Sequence, residues 1–248
     1  MPMNRRNFLS ALALSPVITT ALMANENDVY LSRDEFRALT LLNNRLKRLK
    51  RFVGFANFNL ISFERSLLYG RNYSAIGEFT HDELVMIDRL FHESPGSYGF
   101  YGTKTCSNLN NIIAKKDVKK IPYTGHYLFR GKSQEDYENI ITDIGDTLIL
   151  TSGVRNVIKQ LSLYTNKIYN CGGNMTKATI SIAPPAYSYH VISDFDVGVM
   201  GWGYKNFTSA FAATDEFTRM TKLDYIGMRY TRDNNDGVRF EPWHVEVI

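Results

Sequence analysis

Two short stretches of this sequence gather two histidines and three carboxylates: Ser188-Tyr-His-Val-Ile-Ser-Asp-Phe-Asp196 and, at the C-terminus, Glu241-Pro-Trp-His244. A catalytic zinc needs three ligands drawn from His, Asp or Glu, an open position for water, and a nearby group that can take a proton. His190, Asp196 and His244 can supply the ligands and Glu241 the base. A single His near a single Asp is usually a solvated loop or a satisfied hydrogen-bonded pair. Two such clusters, each beside proline, glycine or aromatic residues, leave the metal and the structural readings balanced on spacing alone.

A third element joins them, and it is the resemblance of all three to a known family that tips the balance. Thr151-Ser-Gly-Val-Arg155, with Gln160 behind it, lies upstream of the first histidine. The order Ser-Gly-x-Arg, then Ser-x-His followed by Asp, then Glu-x-x-His resembles the LAS-type zinc peptidases, specifically the VanY-like D-alanyl-D-alanine carboxypeptidases. The resemblance spans about residues 122–248 and takes in Gly125-His-Tyr-Leu-Phe129 and the tail from Gly237 through His244.

The resemblance implies an α+β fold in which a small antiparallel sheet of the LAS/hedgehog kind cradles a zinc site, here preceded by a helical N-terminal region. It implies Zn²⁺ on His190, Asp196 and His244, with Glu241 as general base. Arg155 would pair with a substrate carboxylate or a developing oxyanion, and Ser188 and Gln160 would help to bind substrate. The implied substrate class is the peptidoglycan stem peptide, from which a D,D-carboxypeptidase removes the terminal D-alanine. A peptidoglycan endopeptidase of the same fold, or a non-catalytic wall-binding relative, is the alternative. The family spacing is His-x6-Asp, whereas Asp196 follows His190 one residue sooner, and Ser193 stands where the family has glycine. Asp196-Val-Gly198 matches the residues after the family's aspartate and favours Asp196 over Asp194 as ligand.

These residues need elements to carry them. Residues 127–129 and the β-branched run 147–151 read as strands, and 134–145 as a helix. Arg155 directly follows the second strand, a rigid platform for a planar fork that bonds both oxygens of a carboxylate. A helix is expected from about Val157. Ile192, Phe195 and Val197 suggest a strand beside the metal, and 206–220 a helix. Strands at 225–230 and 238–240 would flank a turn at 232–237. Pro242 bars a central strand position, and residues three apart on a regular strand face opposite sides. Glu241 and His244 can therefore serve one site only if the chain kinks or bulges at Pro242.

Upstream, residues 32–53 place apolar side chains every three or four positions, with Ser32 and Glu35 as a capping box. The polar face carries Arg45, Lys47, Arg48, Lys50 and Arg51, either a patch for anionic wall polymer or membrane or a solvated helix face. Residues 52–73 read as a second helix packed on the first. Thr80-His-Asp-Glu83 is another capping box opening a further helix, with His81 and His92 at its ends and no ligand-spaced partner for either. Tyr98, Phe100 and Tyr101 lie in a loop as core or groove residues. The expected organisation is an export signal at 1–24, a helical region at 25–100 and a zinc peptidase domain at 101–248.

With 248 residues, 44% hydrophobic and 13% aromatic, the chain can bury a core and is not globally disordered. A net charge of +4 suits anionic surroundings such as a cell wall, but it is too small to argue for nucleic acid, and no nucleic-acid-binding signature accompanies it. Cys106 and Cys171 could form one disulfide or remain two thiols. Asn4-Arg-Arg-Asn-Phe-Leu-Ser10 precedes an apolar run at 11–23 broken by Pro16. That run is shorter than the roughly twenty residues a membrane span needs, and the paired arginines read as a twin-arginine export signal. The expected location is periplasmic or extracytoplasmic, with membrane contact only if the signal stays uncleaved.

Overall fold

Leu39, Leu42, Leu46 and Leu49 form the fully buried stripe of α1 (Arg33–Val53), each stabilising the fold by about 2 kcal/mol through lost apolar exposure. The structure, a computed structural model, describes residues 27–248, so the expected export signal lies outside the described residues. Both halves of the capping box are present: Ser32 accepts from the Glu35 amide, and the Glu35 carboxylate accepts from the Ser32 amide at 2.8 Å. The helix expected across 52–73 is instead two. Gly54, at φ +81°, turns the chain between α1 and the short α2 (Phe55–Phe58), and Ser62 caps a new start for α3 (Phe63–Asn72). A positive φ of this kind is open to glycine at little steric cost.

Helix α4 (His81–His92) opens on the Thr80–Glu83 capping box. Glu83 also reaches α1, where the Arg45 Nε donates to both of its carboxylate oxygens at 3.0 and 2.7 Å. Arg45 Nη1 and Arg48 Nε donate to the Ile76 carbonyl at 3.1 and 3.0 Å. The basic face of α1 is thus not wholly a surface patch: Arg45 is buried and holds α1, α4 and the intervening loop together.

Beyond residue 100 the chain is mixed. Strands β1 (Val118–Lys120) and β2 (Tyr127–Phe129) form an antiparallel ribbon, followed by α5 (Lys132–Ile144), β3 (Leu148–Ser152), α6 (Val157–Asn170) and α7 (Met175–Thr179). Then come β4 (Phe195–Val199), α8 (Asp215–Met220), β5 (Ile226–Met228) and β6 (His244–Val247). Strands β3, β4, β6 and β5 make, in that spatial order, one four-stranded antiparallel sheet. The fold is α+β, with a helical N-terminal region.

Two expectations for this half need correcting. The helix expected at 206–220 is two 3₁₀ turns and the short α8, because Thr208 and Thr214 each turn a hydroxyl onto a following amide (Ala210 and Phe217) and restart the chain. Residues 238–240 form no strand, and the partner of β5 is β6 itself. Cys106 and Cys171 are both free.

One face of the sheet (Leu150, Phe195, Val197 and Val245) packs against Ile140 and Ile144 of α5. A second core joins α1 and α4 to Ile158, Leu161, Tyr164 and Ile168 of α6 and Met175 of α7. Helices from both sides of residue 100 therefore share one core. No described helix is long and apolar enough to cross a membrane.

Candidate metal and catalytic site

The sheet sets two of the expected ligands directly. Side chains alternate between the faces of a strand, so with Phe195 and Val197 in the core, Asp196 points to the opposite face. His244 of β6 is its cross-strand partner, and Ser152 of β3 lies opposite it on the other side. The β3–β4 register slips at Thr151, which adds one residue on β3. A bulge of this sort re-aims the side chains that follow it, here Ser152 and the turn to Arg155.

His190 comes from outside the sheet, on a 3₁₀ turn (Tyr189–Val191). The loop after β3 grips it twice: the Arg155 amide donates to the His190 carbonyl at 3.0 Å, and His190 Nδ1 lies 2.9 Å from the Gly153 carbonyl. Gly153 has to be glycine, since a Cβ there would stand 2.0 Å from the Tyr127 carbonyl oxygen. With its Nδ1–H on that carbonyl, His190 presents Nε2 as a lone pair, 3.3 Å from Asp196 Oδ1. His244 Nδ1 approaches the same oxygen at 3.1 Å, while its Nε2 lies 3.0 Å from Asp194 Oδ2.

The ligand atoms of His190, Asp196 and His244 all lie within 4.8 Å of one another, and all three residues are buried. His190 Nε2 and Asp196 Oδ1 have no hydrogen-bond partner. Buried polar atoms left in this way destabilise by about 1–3 kcal/mol each unless something else binds them. Burial, helped by the charge of Arg155 and opposed by Asp196, pushes His190 down to about 4, so it is a neutral imidazole. Burial works against charge on His244 too, but the hydrogen bond to Asp194 and the negative charges of Asp196 and Asp194 lift it to about 9. The site thus calls for a positive charge at the point where three donor atoms meet. Two imidazole nitrogens and one carboxylate oxygen are a donor set suited to zinc.

Asp194 was the alternative ligand on sequence grounds. It faces the outer nitrogen of His244 and takes the Arg229 guanidinium and the Val247 amide as well. Burial would raise its pKa, but His244 and Arg229 hold it well below the usual carboxylate range. It orients His244, as the outer partners of metal-bound histidines do, and Asp196 faces the centre. The Arg229 guanidinium carbon stands over the Tyr189 ring, 3.5 Å from its centroid. Nothing local in the sequence marks Arg229, which arrives from 35 residues beyond Asp194.

The remaining expected residues line one cleft of about 330 Å³ with the three donors. Arg155 bonds Asp196 Oδ2 through Nη2 and Ser152 through Nε at 2.7 Å, so much of its guanidinium is committed to holding Asp196. Gln160 donates to the Ala183 carbonyl at 2.7 Å and keeps an unpartnered Oε1. Ser188 is buried at the cleft wall.

Glu241 reaches this cleft by the kink the sequence demanded. The His244 amide donates to the Glu241 carbonyl at 3.0 Å, closing a turn over Pro242 and Trp243 that brings both side chains to one side. Burial pushes the Glu241 carboxyl up to about 7; His244 opposes the shift and Asp196 adds to it. A carboxylate tuned to this range is suited to taking and returning a proton.

Residues 132–248 match the family model described as VanY, D-alanyl-D-alanine carboxypeptidase. The match spans just under half of the chain. None of the curated proteins matches the chain. Solved structures similar to it include the LD-carboxypeptidase LdcB, described with the molecular basis of peptidoglycan recognition. That match has 19% identity and a TM-score of 0.44 over 52% of this chain and 63% of that one. A vancomycin-resistance D,D-pentapeptidase VanY in complex with Zn(II) matches with 19% identity and a TM-score of 0.39, over 60% and 88%. VanYB in complex with D-alanine-D-alanine matches with 21% identity and a TM-score of 0.40, over 58% and 84%. The matched segment holds every expected site residue, while part of the cleft wall, Phe55, comes from α2 outside it.

Proposed function

We propose that this protein is an exported zinc D,D-carboxypeptidase that removes the terminal D-alanine from peptidoglycan stem peptides. The observation that carries the reading is the convergence of His190 Nε2, Asp196 Oδ1 and His244 Nδ1, two of them buried without a hydrogen-bond partner, beside a carboxyl poised near neutrality. The match of residues 132–248 to the VanY family model supports the substrate class, and the paired arginines at the N-terminus support export.

His190, Asp196 and His244 would hold the zinc. When bound, zinc acidifies water and polarises the scissile carbonyl. Glu241 takes a proton from the water that attacks the carbonyl carbon, then delivers it to the leaving nitrogen as the C–N bond breaks. The products are a shortened peptide carboxylate and free D-alanine. Arg155, anchored on Asp196 and Ser152, keeps a fixed positive charge at the cleft wall for the developing oxyanion. Gln160 Oε1 can accept a substrate N–H, and Ser188 adds a hydroxyl.

Mass spectrometry of zinc-loaded protein incubated with pentapeptide stems tests the reading. Loss of one D-alanine, abolished by chelator, is the expected result. Cleavage confined to cross-linked peptides would replace it with an endopeptidase. Full zinc occupancy without cleavage would mean another peptide substrate, and neither zinc nor cleavage would mean a wall-binding protein.

Asp194→Ala is expected to weaken zinc binding about 10- to 100-fold by releasing the His244 ring. Competition against a chromophoric chelator measures this, and an unchanged affinity would remove Asp194 from the orienting role.

A further inference from the structure

Lys159 has no part in the mechanism above, yet it lines the same cleft from the first turn of α6, just after Arg155. The residue is only 6% exposed, and among the described residues no carboxylate pairs with it. Its ammonium stands 4.9 Å from the centroid of the Phe55 ring and 5.9 Å from that of Phe58. Aromatic faces of this kind offset part of the desolvation of an ammonium but do not replace an anion. Its charged neighbours are cations: burial foremost, then Arg155 and Lys50, push it down to about 7.

The same wall carries a second unsatisfied group. His126, 8% exposed, packs edge-on against Phe55 at 5.0 Å, and its Nδ1 is buried without a hydrogen-bond partner. Burial and the charge of Lys159 press His126 down to about 3, so it is a neutral imidazole whose ring keeps polar capacity for a ligand. One end of the cleft therefore concentrates positive potential, with Arg155 largely committed to Asp196 and Lys159 uncommitted. An unpaired ammonium in such a place destabilises the free protein, and a bound anion would relieve it.

Resting on the peptidase reading of this cleft, we propose that Lys159 is the specificity residue that pairs with a carboxylate of the peptide substrate, with the Phe55–His126 wall shielding the pair from water. The carboxylate is either the α-carboxylate at the peptide C-terminus or the side chain of an acidic residue in the stem. Phe55 belongs to α2, so the helical N-terminal region contributes to this subsite.

Lys159→Met tests it, because methionine can keep the packing over Phe55 and Phe58 without the charge. Three peptides are compared: a stem peptide with both carboxylates, the same peptide with a C-terminal amide, and the same peptide with its acidic side chain amidated. On the first, Lys159→Met is expected to raise KM about 10- to 100-fold, the range for a hydrogen bond to a charged group, with kcat within a few-fold. The variant and the wild type should converge on whichever amidated peptide lacks the partner carboxylate, which names the source. Stability of the variant should be equal to or above wild type, since an unpaired buried charge is gone. An equal KM ratio on all three peptides, or lowered stability with unchanged KM, would overturn the assignment. If the wild type cleaves none of the peptides, the peptidase reading fails by itself. Calorimetric binding of the same three peptides to wild type and Lys159→Met then decides on Lys159, equal affinities overturning it.

Discussion

Glu241→Gln is expected to lower kcat by about 10²- to 10⁴-fold, the range for a lost general base, with zinc binding within a few-fold of wild type. The substitution leaves the local architecture alone. Glu241 is fixed through its backbone: its amide donates to the Tyr230 carbonyl, and its carbonyl accepts from the His244 amide, both at 3.0 Å. The carboxylate is not needed for the turn over Pro242, and its charged neighbour Arg239 stands 3.6 Å away. The glutamine amide fills the same buried space but cannot accept a proton from water. Turnover and zinc stoichiometry measured on one preparation separate the possibilities. Turnover within tenfold of wild type would remove Glu241 as the base, whereas a parallel loss of zinc would make it part of the metal's support.

Glu83→Ala is expected to destabilise the protein by about 3–5 kcal/mol, the range for breaking one side of a buried ion pair. Glu83 is fully buried, and its two oxygens serve both Arg45 and the Thr80 amide. Removing them strands the Arg45 guanidinium between α1 and α4 and opens the N-terminus of α4, a cap that by itself contributes about 1 kcal/mol. The double variant Arg45→Met, Glu83→Ala should recover a large part of the loss, because the uncompensated charge goes with its partner. Chemical denaturation measures both. A loss below about 1 kcal/mol for Glu83→Ala, the value typical of exposed pairs, would show that Arg45 finds water or another partner.

The same glutamate shows what could be read from sequence and what could not. The Thr80–Glu83 box is a local pattern, legible because both halves of a cap lie within four residues. That Glu83 also meets Arg45, 38 positions earlier, is a tertiary fact with no local trace. The site divides in the same way. His190, Asp196, His244 and Glu241 were legible as residue types in short motifs, and Pro242 announced that the chain must turn between the last two. Asp194 was visible only as a competing ligand, because its role depends on the ring of a histidine fifty residues away. The carbonyl of Gly153, which aims His190, belongs to the backbone and has no residue type to read. The failed helix at 206–220 has a plainer origin: its apolar spacing is helical, but Thr208 and Thr214 offer hydroxyls that compete for the backbone amides. Lys159 has no local trace either, because a lysine on a helix reads as a solvated one until its surroundings are known.

The core shared across residue 100 bears on what counts as the folded unit around the cleft. The stretch that matches the VanY family begins at residue 132, but the apolar side of α6, which directly follows Arg155, rests on α1. Cut free at residue 132, that stretch would turn Ile158, Leu161 and Ile168 out to water and strip Phe55 from the cleft. The helices before it are the back wall of the cleft, and an outline of the unit drawn from the family match alone leaves one side of that cleft missing.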